Sequence, residues 1–437
     1  MTSEALARSI VAQLRAAGYQ AYLVGGCVRD MLLGRAPKDF DVATDARPDR
    51  VSELFERSEQ VGAHFGVVLV RENTSQVEVA TFRSDASYSD GRRPDAVCFE
   101  SDPRQDVMRR DFTINALLLD PDTKEVLDFT GGREDLRRRT IRAIGDPEAR
   151  FQEDHLRLIR AVRFAARLGF EIEPDTMAAI QRLHGLIVNV SPERVRDELA
   201  RILTEGGARR GFELLDETGL LADILPEVAA MKGVAQPPEF HPEGDVWTHT
   251  LLLLEKLRHP TVTLAAGALL HDVGKPPTFQ VADRIRFNGH AEEGVKLAHG
   301  ILTRLRFSGE QTEQIEALVA NHMRFMDTGR MRESTLKRFL RMENFAEHLE
   351  LHRLDCLSGS GKLDNYKFVS SRLAEMGEEE LRPRPLLSGR DLIEQGYQPG
   401  PSFGKMLSAV EDAQLEGRVG SKEEALALVR AEFGNPA

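Results

Sequence analysis

The sequence predicts an α+β chain in which a mixed β-sheet comes first and helices fill the remainder. Three observations carry this. Short apolar or alternating runs, the pattern of strands, occur at 20–24, 64–71, 76–82, 112–119 and 125–129, and fade beyond about residue 140. From about 146 to 355 the apolar residues recur with a helical period, at 156–168, 193–203, 248–257, 262–271, 293–305 and 312–323. Strands and helices do not alternate after the first region, which argues against a doubly wound parallel sheet.

In chain order, residues 4–17 read as an amphipathic helix and 20–24 as a strand ending in Gly25-Gly26. Residues 27–33 are helical and stop at Gly34. The pattern predicts a mixed-sheet head over 1–140 and a helical neck over 141–235. Gln236-Pro237-Pro238 and His241-Pro242 then break the helical pattern and open a helical body over 236–360. A helical tail follows over 361–437, its stretch at 378–385 acidic and then proline-rich like a linker.

Composition narrows the class. The chain has 437 residues, 41% hydrophobic and 29% charged, which suits a globular protein of several domains. No apolar run approaches the roughly 20 residues that span a bilayer, so no membrane partner is expected. The start, Met1-Thr2-Ser3-Glu4, lacks the pattern of a secretory signal. Cys27, Cys98 and Cys356 are scattered without metal spacing. Both features predict a cytoplasmic protein with reduced thiols. The net charge of −12 argues against a general nucleic-acid surface, but residues 133–167 hold ten arginines, six acidic residues and no lysine. Arginine alone favours planar, bidentate contacts over a mixed solubilising face, although a solvated helix remains the plain alternative.

The chemistry begins at the glycine turn. Glycines between strand and helix let the backbone approach a phosphate. Gly25-Gly26 is followed by Arg29-Asp30 and then by Lys38-Asp39-Phe40-Asp41. On a strand, residues i and i+2 share a face, so Asp39 and Asp41 are expected to project together. Paired carboxylates repel unless a cation sits between them, which suits Mg²⁺. Glu78 on a neighbouring strand is a third candidate ligand, or simply an exposed strand residue. In Arg109-Arg110-Asp111-Phe112-Thr113-Ile114-Asn115 the arginines suit triphosphate oxygens, and Asp111 and Asn115 suit a ribose hydroxyl. Asp154 and Arg157 are predicted as i, i+3 neighbours on one helix face. They form either an intrahelical ion pair or an acceptor and a forked donor for a base edge.

In order, these motifs resemble those of the bacterial class II tRNA nucleotidyltransferases, the CCA-adding enzymes that share a catalytic head with bacterial poly(A) polymerases. The resemblance rests on the Gly-Gly-x-x-Arg-Asp turn with Asp39-x-Asp41, the run at 109–116, Asp128-x-x-Gly131-Gly132-x-x-Asp135, Glu153-Asp154-x-x-Arg157, and Glu193-Arg194-Val195-x-x-Glu198. It implies a nucleotidyltransferase head followed by helical neck, body and tail. It implies Mg²⁺ on Asp39 and Asp41, and base choice between CTP and ATP by Asp154 and Arg157. It also implies that the arginine-rich stretch, with Arg160 and Arg163, is a neck meeting nucleotide and tRNA. The implied reaction is template-independent addition of CCA to tRNA.

Relatives that add only A, only CC, or a poly(A) tail compete with this expectation. Residues 361–437 carry ten basic and thirteen acidic side chains, unlike the strongly basic tail expected of a poly(A) polymerase. The stretch Ser84 through Val97, with Arg92-Arg93, has the length of the flexible loop that a CC-only enzyme is expected to lack.

Nine of the twelve histidines follow residue 240. The run Leu270-His271-Asp272-Val273-Gly274-Lys275 resembles the signature of HD-domain phosphohydrolases. With His249 upstream and His290, His322 and Asp355 downstream, it implies a site for one or two ions, Mg²⁺ or a transition metal. That region is expected to be a second activity or, if the head is vestigial, the main one. The tail resembles that of HD-containing members and is expected to grip tRNA.

Overall fold

The computed structural model describes residues 2–61, 66–85, 91, 96–239 and 241–435. The predicted loop arginines Arg92 and Arg93 lie outside them. Two compact units result, one of Met1–Ala229 with Arg304–Arg306, the other of Ala230–Thr303 with Phe307–Ala437.

The first unit opens with the helix Ser3–Ala16, whose Thr2 side chain accepts from the Ala5 amide and caps it. Leu6, Ala7, Ile10, Val11 and Leu14 form its buried stripe against the sheet. The strands are β1 (Ala21–Val24), β2 (Asp41–Thr44), β3 (Ser58–Gln60), β4 (Val67–Glu72), β5 (Ser75–Thr81), β6 (Arg83–Asp85), β7 (Val97–Phe99), β8 (Leu118–Leu119) and β9 (Val126–Leu127). Seven form one sheet in the order β3-β4-β5-β2-β1-β8-β9, while β6 and β7 pair separately. Within the sheet only β2 and β5 run parallel, so it is mixed, as predicted. Val24, Ala43, Phe82, Val107, Ala116, Leu118 and Ile144 make a core beneath it.

The strand expected over 112–119 shrinks to Leu118–Leu119, because Thr113–Asn115 turns as a 3₁₀ segment. Asp111 accepts from the Phe112 amide and from the Asn115 side chain, and this local polar closure competes with the extended conformation. The helix Leu156–Leu168 has the bounds predicted for it, and it packs on Pro192–Thr204 and Ala208–Glu217. The remainder is helical apart from two ribbons, Thr140–Ile141 with Glu171–Ile172 and Phe279–Val281 with Ile285–Phe287.

In the second unit, Asp245 caps the helix Val246–Lys256 by accepting from the Thr248 amide. The helix Val262–Leu270 is almost wholly buried and delivers His271 at its end. Helices His290–Arg304, Gly309–Asn321 and Phe345–Ser358 supply the other histidine-bearing walls. No described helix is long and apolar enough to cross a membrane.

Candidate active site and candidate metal centre

At the end of β1 the chain turns at Gly25, with φ 78° and ψ −133°. A β-carbon there would lie 3.4 Å from Arg110 Nη1, 3.8 Å from Asp41 Oδ2 and 4.0 Å from the Asn115 carbonyl. Lacking one, glycine leaves that corner open between a cation and a carboxylate. Asp41 begins β2 and stands in register with Glu78 of the parallel β5. Asp39 precedes the strand instead of sharing it, so the predicted i, i+2 strand pair does not form. The charges are coupled all the same. Burial, then Glu78, push the Asp41 carboxyl up to about 6; Arg110 opposes this and Asp39 adds to it. Among the described residues, the groups whose ligand atoms all lie within 4.8 Å of one another are in the second unit, and this carboxylate set is not one of them.

Behind the turn runs a chain of alternating charges. Arg29 is 3% exposed; its guanidinium bonds Asp30 at 2.8 Å and Asn115 at 2.7 Å and lies over the Phe164 ring. It therefore sits beneath the glycine turn. The Asn115 amide donates to Asp111, Arg160 donates twice to Asp111 at 2.6 and 3.0 Å, and Glu198 accepts from the buried Arg163. Burial alone would raise the Asp111 carboxyl, but Arg160 and Asn115 outweigh it and hold it at about 2.

Arg109 and Arg110 both donate to Asp106, a buried acid the sequence reading missed. It stands three and four residues before them, the spacing that could have revealed it. Arg110 Nε is buried with no hydrogen-bond partner.

The predicted placement of Asp154 and Arg157 on one helix face is corrected. The helix Pro147–Glu153 ends at Asp154, whose φ of −141° takes it out of the helix, and a new helix starts at Leu156. Arg157 bonds Glu153 at 2.6 Å and the Arg109 carbonyl at 3.0 Å, while Asp154 faces Arg194 at 3.2 Å. The remaining motif is a buttress. Asp128 accepts from the amides of Thr130, Gly131, Gly132 and Arg133, and Asp135 accepts from the Thr113 hydroxyl.

In the second unit the six predicted residues converge. His249 Nε2 lies 3.0 Å from Asp355, His271 Nε2 3.2 Å from Asp272, and His290 Nε2 3.2 Å from His322 Nε2. The Nδ1 atoms of His271, His290 and His322 face the carbonyls of Ala268, Phe287 and Val319, which fixes the tautomer and turns Nε2 inward. His271 Nε2 is buried without a hydrogen-bond partner. Among the described residues three groups, His249-His271-Asp355, Asp272-His290-His322 and His241-Glu243-His249, each have ligand atoms within 4.8 Å of one another. Mixed imidazole and carboxylate donors with an orphaned ring nitrogen fit a divalent cation. Gly274 is required here, since a β-carbon would overlap the carbonyl oxygen of His290. Lys275 bonds Asp272 and Gln236, both at 2.7 Å. A cavity of about 660 Å³ opens beside the cluster, lined in part by His241, Phe287, His290, Met323, Met326 and Asp355.

Three family models match: a Poly A polymerase head domain over residues 21–142, a probable RNA and SrmB-binding site of polymerase A over 169–232, and an HD domain over 245–357. The CCA-adding enzyme of Limosilactobacillus fermentum is 30% identical over 98% of this chain and 96% of its own. The CC-adding tRNA nucleotidyltransferase of Thermus thermophilus is 36% identical over 94% and 93%. The chain belongs to the tRNA nucleotidyltransferase family of these enzymes. With the Bacillus pumilus CCA-adding enzyme the identity rises to 44%, over 47% of this chain and 52% of that one. The crystal structure of the Bacillus stearothermophilus CCA-adding enzyme in complex with CTP superposes with a TM-score of 0.76, at 28% identity and 97% coverage of both chains.

In this tRNA nucleotidyltransferase, sequence reasoning also missed His241 and Glu243. Glu243 Oε1 lies 2.8 Å from His241 Nδ1 and 2.6 Å from His249 Nδ1. The proline-rich break had marked 236–242 as a boundary, which hid its chemistry.

Proposed function

We propose that the chain completes tRNA 3′ ends with CCA, taking CTP and ATP in turn and choosing them with side chains instead of a nucleic-acid template. The observation that carries this is the carboxylate pair Asp41 and Glu78 set against Gly25 and Arg110, in a chain that aligns along nearly its whole length with a CCA-adding enzyme. The reading places the protein in the cytoplasm and assigns 1–140 as catalytic head, 141–235 as neck, 236–360 as HD body and 361–437 as a tRNA-gripping tail.

Asp39 and Asp41, assisted by Glu78, would hold Mg²⁺; the donors are hard oxygens whose mutual repulsion a cation relieves. When bound, the ion neutralises the triphosphate and lowers the pKa of the attacking 3′ hydroxyl. The chain's own groups do the rest. Gly25 and Gly26 leave room for the phosphates, and Arg109 and Arg110 donate to their oxygens. Asp111 and Asn115 border the ribose. Asp154 and Arg157 present acceptor and donor to the base, on a segment that Arg160 fastens to Asp111 of the head and Arg163 to Glu198 of the helix Pro192–Thr204. The 3′ oxygen attacks the α-phosphorus and pyrophosphate leaves, so positioning and electrostatics supply most of the acceleration.

The test uses tRNAs ending before the first C, after one C and after two, each offered the four nucleotides singly. C is expected on the first two and A on the third. A tRNA ending in CC that never accepts A would support CC addition alone, a reading that the Thermus relative favours. No incorporation of any nucleotide would overturn both.

We further propose that His249, His271, Asp272, His290, His322 and Asp355 hold one or two divalent cations in an accessory phosphohydrolase site. RNA ending in a 2′,3′-cyclic phosphate should be opened by the parent chain and left intact by His271→Ala.

A further inference from the structure

We propose that Glu243 is a positioning residue of the histidine centre. A single carboxylate oxygen fixes two imidazoles, holding His249 as a ligand and directing His241 into the cavity as the group that meets a phosphoester. The proposal rests on the metal reading of that centre given above.

The geometry is specific. Glu243 Oε1 bonds both Nδ1 atoms, and the two rings cross at 85° with their centroids 4.9 Å apart. An imidazole whose Nδ1–H is held by a carboxylate presents Nε2 on its opposite side. For His249, that opposite side is Asp355 Oδ1 at 3.0 Å, inside the first triad. For His241, which lines the cavity of about 660 Å³, Nε2 is the ring nitrogen left for an occupant. Glu243 is half-buried with its side chain 7% exposed, and its Oε2 has no hydrogen-bond partner. Its two histidines hold the carboxylate there.

The local chain explains the placement. Asp245 caps the helix through the Thr248 amide and accepts the Gly233 amide with its other oxygen, while the Val246 amide bonds the Val234 carbonyl. The loop is thus tied to the helix start from both sides. Glu243 lies two residues before the cap and His249 in the first turns after it. The His241 amide bonds the Pro237 carbonyl, which closes the loop on its cavity side. Carboxylates that orient a ligating histidine raise its basicity and fix its direction, and their loss costs about 10–100-fold in metal affinity.

The test is titration of the full chain with Co²⁺ alone, followed by the visible bands that imidazole ligation produces. These bands separate the histidine centre from the all-oxygen carboxylate set in the head. Glu243→Gln and Glu243→Ala are each expected to weaken Co²⁺ binding about 10–100-fold. Melting of the metal-free Glu243→Gln variant should stay close to the parent, which separates lost positioning from lost folding. His241→Ala should keep the parent's Co²⁺ affinity but weaken competition by inorganic phosphate for the Co²⁺-loaded centre. Parent-like bands and affinity in both Glu243 variants would overturn the positioning role and leave the metal reading standing. A parent chain without imidazole-type bands would overturn both. A His241→Ala variant that loses Co²⁺ as His249→Ala does would make His241 a ligand and overturn its assignment to the phosphoester.

Discussion

At the scale of single residues, Asp41 carries a conflict between stability and chemistry. Its carboxyl titrates near 6 in the fold against 3.8 for the free side chain, because burial and Glu78 disfavour its charge. The folded state therefore binds protons more tightly. The stability this gives is complete below the unfolded pKa and is lost as pH rises through about 6. Asp41→Asn should melt higher than the parent at pH 8 in a chelator, by on the order of 2 kcal/mol, with the gap closing toward pH 4. The same variant should lose nucleotide addition by about 10²–10³-fold or more. Calorimetry and single-nucleotide incorporation check the two halves, and a variant that is active or less stable would contradict the assignment. Gly25→Ala tests the open corner: a methyl group at positive φ, 3.4 Å from Arg110 Nη1, should raise KM for CTP and ATP alike.

At the scale of elements, the helix Leu156–Leu168 is held by alternating charges, to the head through Arg160 and Asp111 and to the helix Pro192–Thr204 through Arg163 and Glu198. Glu198 faces Arg163 and approaches Arg160, so Glu198→Ala leaves buried arginine charge uncompensated. A loss of about 3–5 kcal/mol in urea unfolding is expected. Asp111, held near 2, contributes stability that is present above its unfolded pKa and lost as pH falls through the folded value. Asp111→Asn should flatten the acid limb of that unit's unfolding between about pH 4 and 2.

Much of this was legible in sequence. The helix 156–168 followed from its apolar period, and the paired glycines before Asp39-x-Asp41 marked the turn. Partner choice was not legible. Spacing put Asp154 opposite Arg157, but a helix break at Asp154 gave Arg157 to Glu153 and Asp154 to Arg194, some forty residues away. Periodicity sees only neighbours along one helix. The ladder from Arg29 through Asn115, Asp111 and Arg160 to Glu198 joins four motifs read separately, and only the tertiary fold brings them together. Glu243 was hidden because a broken pattern reads as a linker whether or not its side chains converge on a site.

At the scale of the molecule, the two units should respond oppositely to mild acid. In the second, burial depresses His348 to about 4. Its stabilising effect is whole above the unfolded value of 6.5 and is lost as pH falls through about 4. In the first, protonation of Asp41 favours the fold over much the same range. The single tryptophan, Trp247, is buried in the second unit and reports on it alone. Its emission should shift to longer wavelength during acidification while nucleotide-dependent protection of the first unit from proteolysis persists. His348→Leu should move the Trp247 transition to lower pH, and an unmoved midpoint would contradict the account.

The charge ladder also limits how this protein can be re-engineered. The strip proposed to read the base, residues 153–163, is not a detachable cassette, because its acids and arginines are completed by Arg194 and Glu198 from a distant helix and by Asp111 from the head. Transplanted alone into a relative, it would arrive with dangling charges and fold poorly. Moved with those three counterparts, it would arrive as a finished truss, and nucleotide preference could then be exchanged between homologues as a unit.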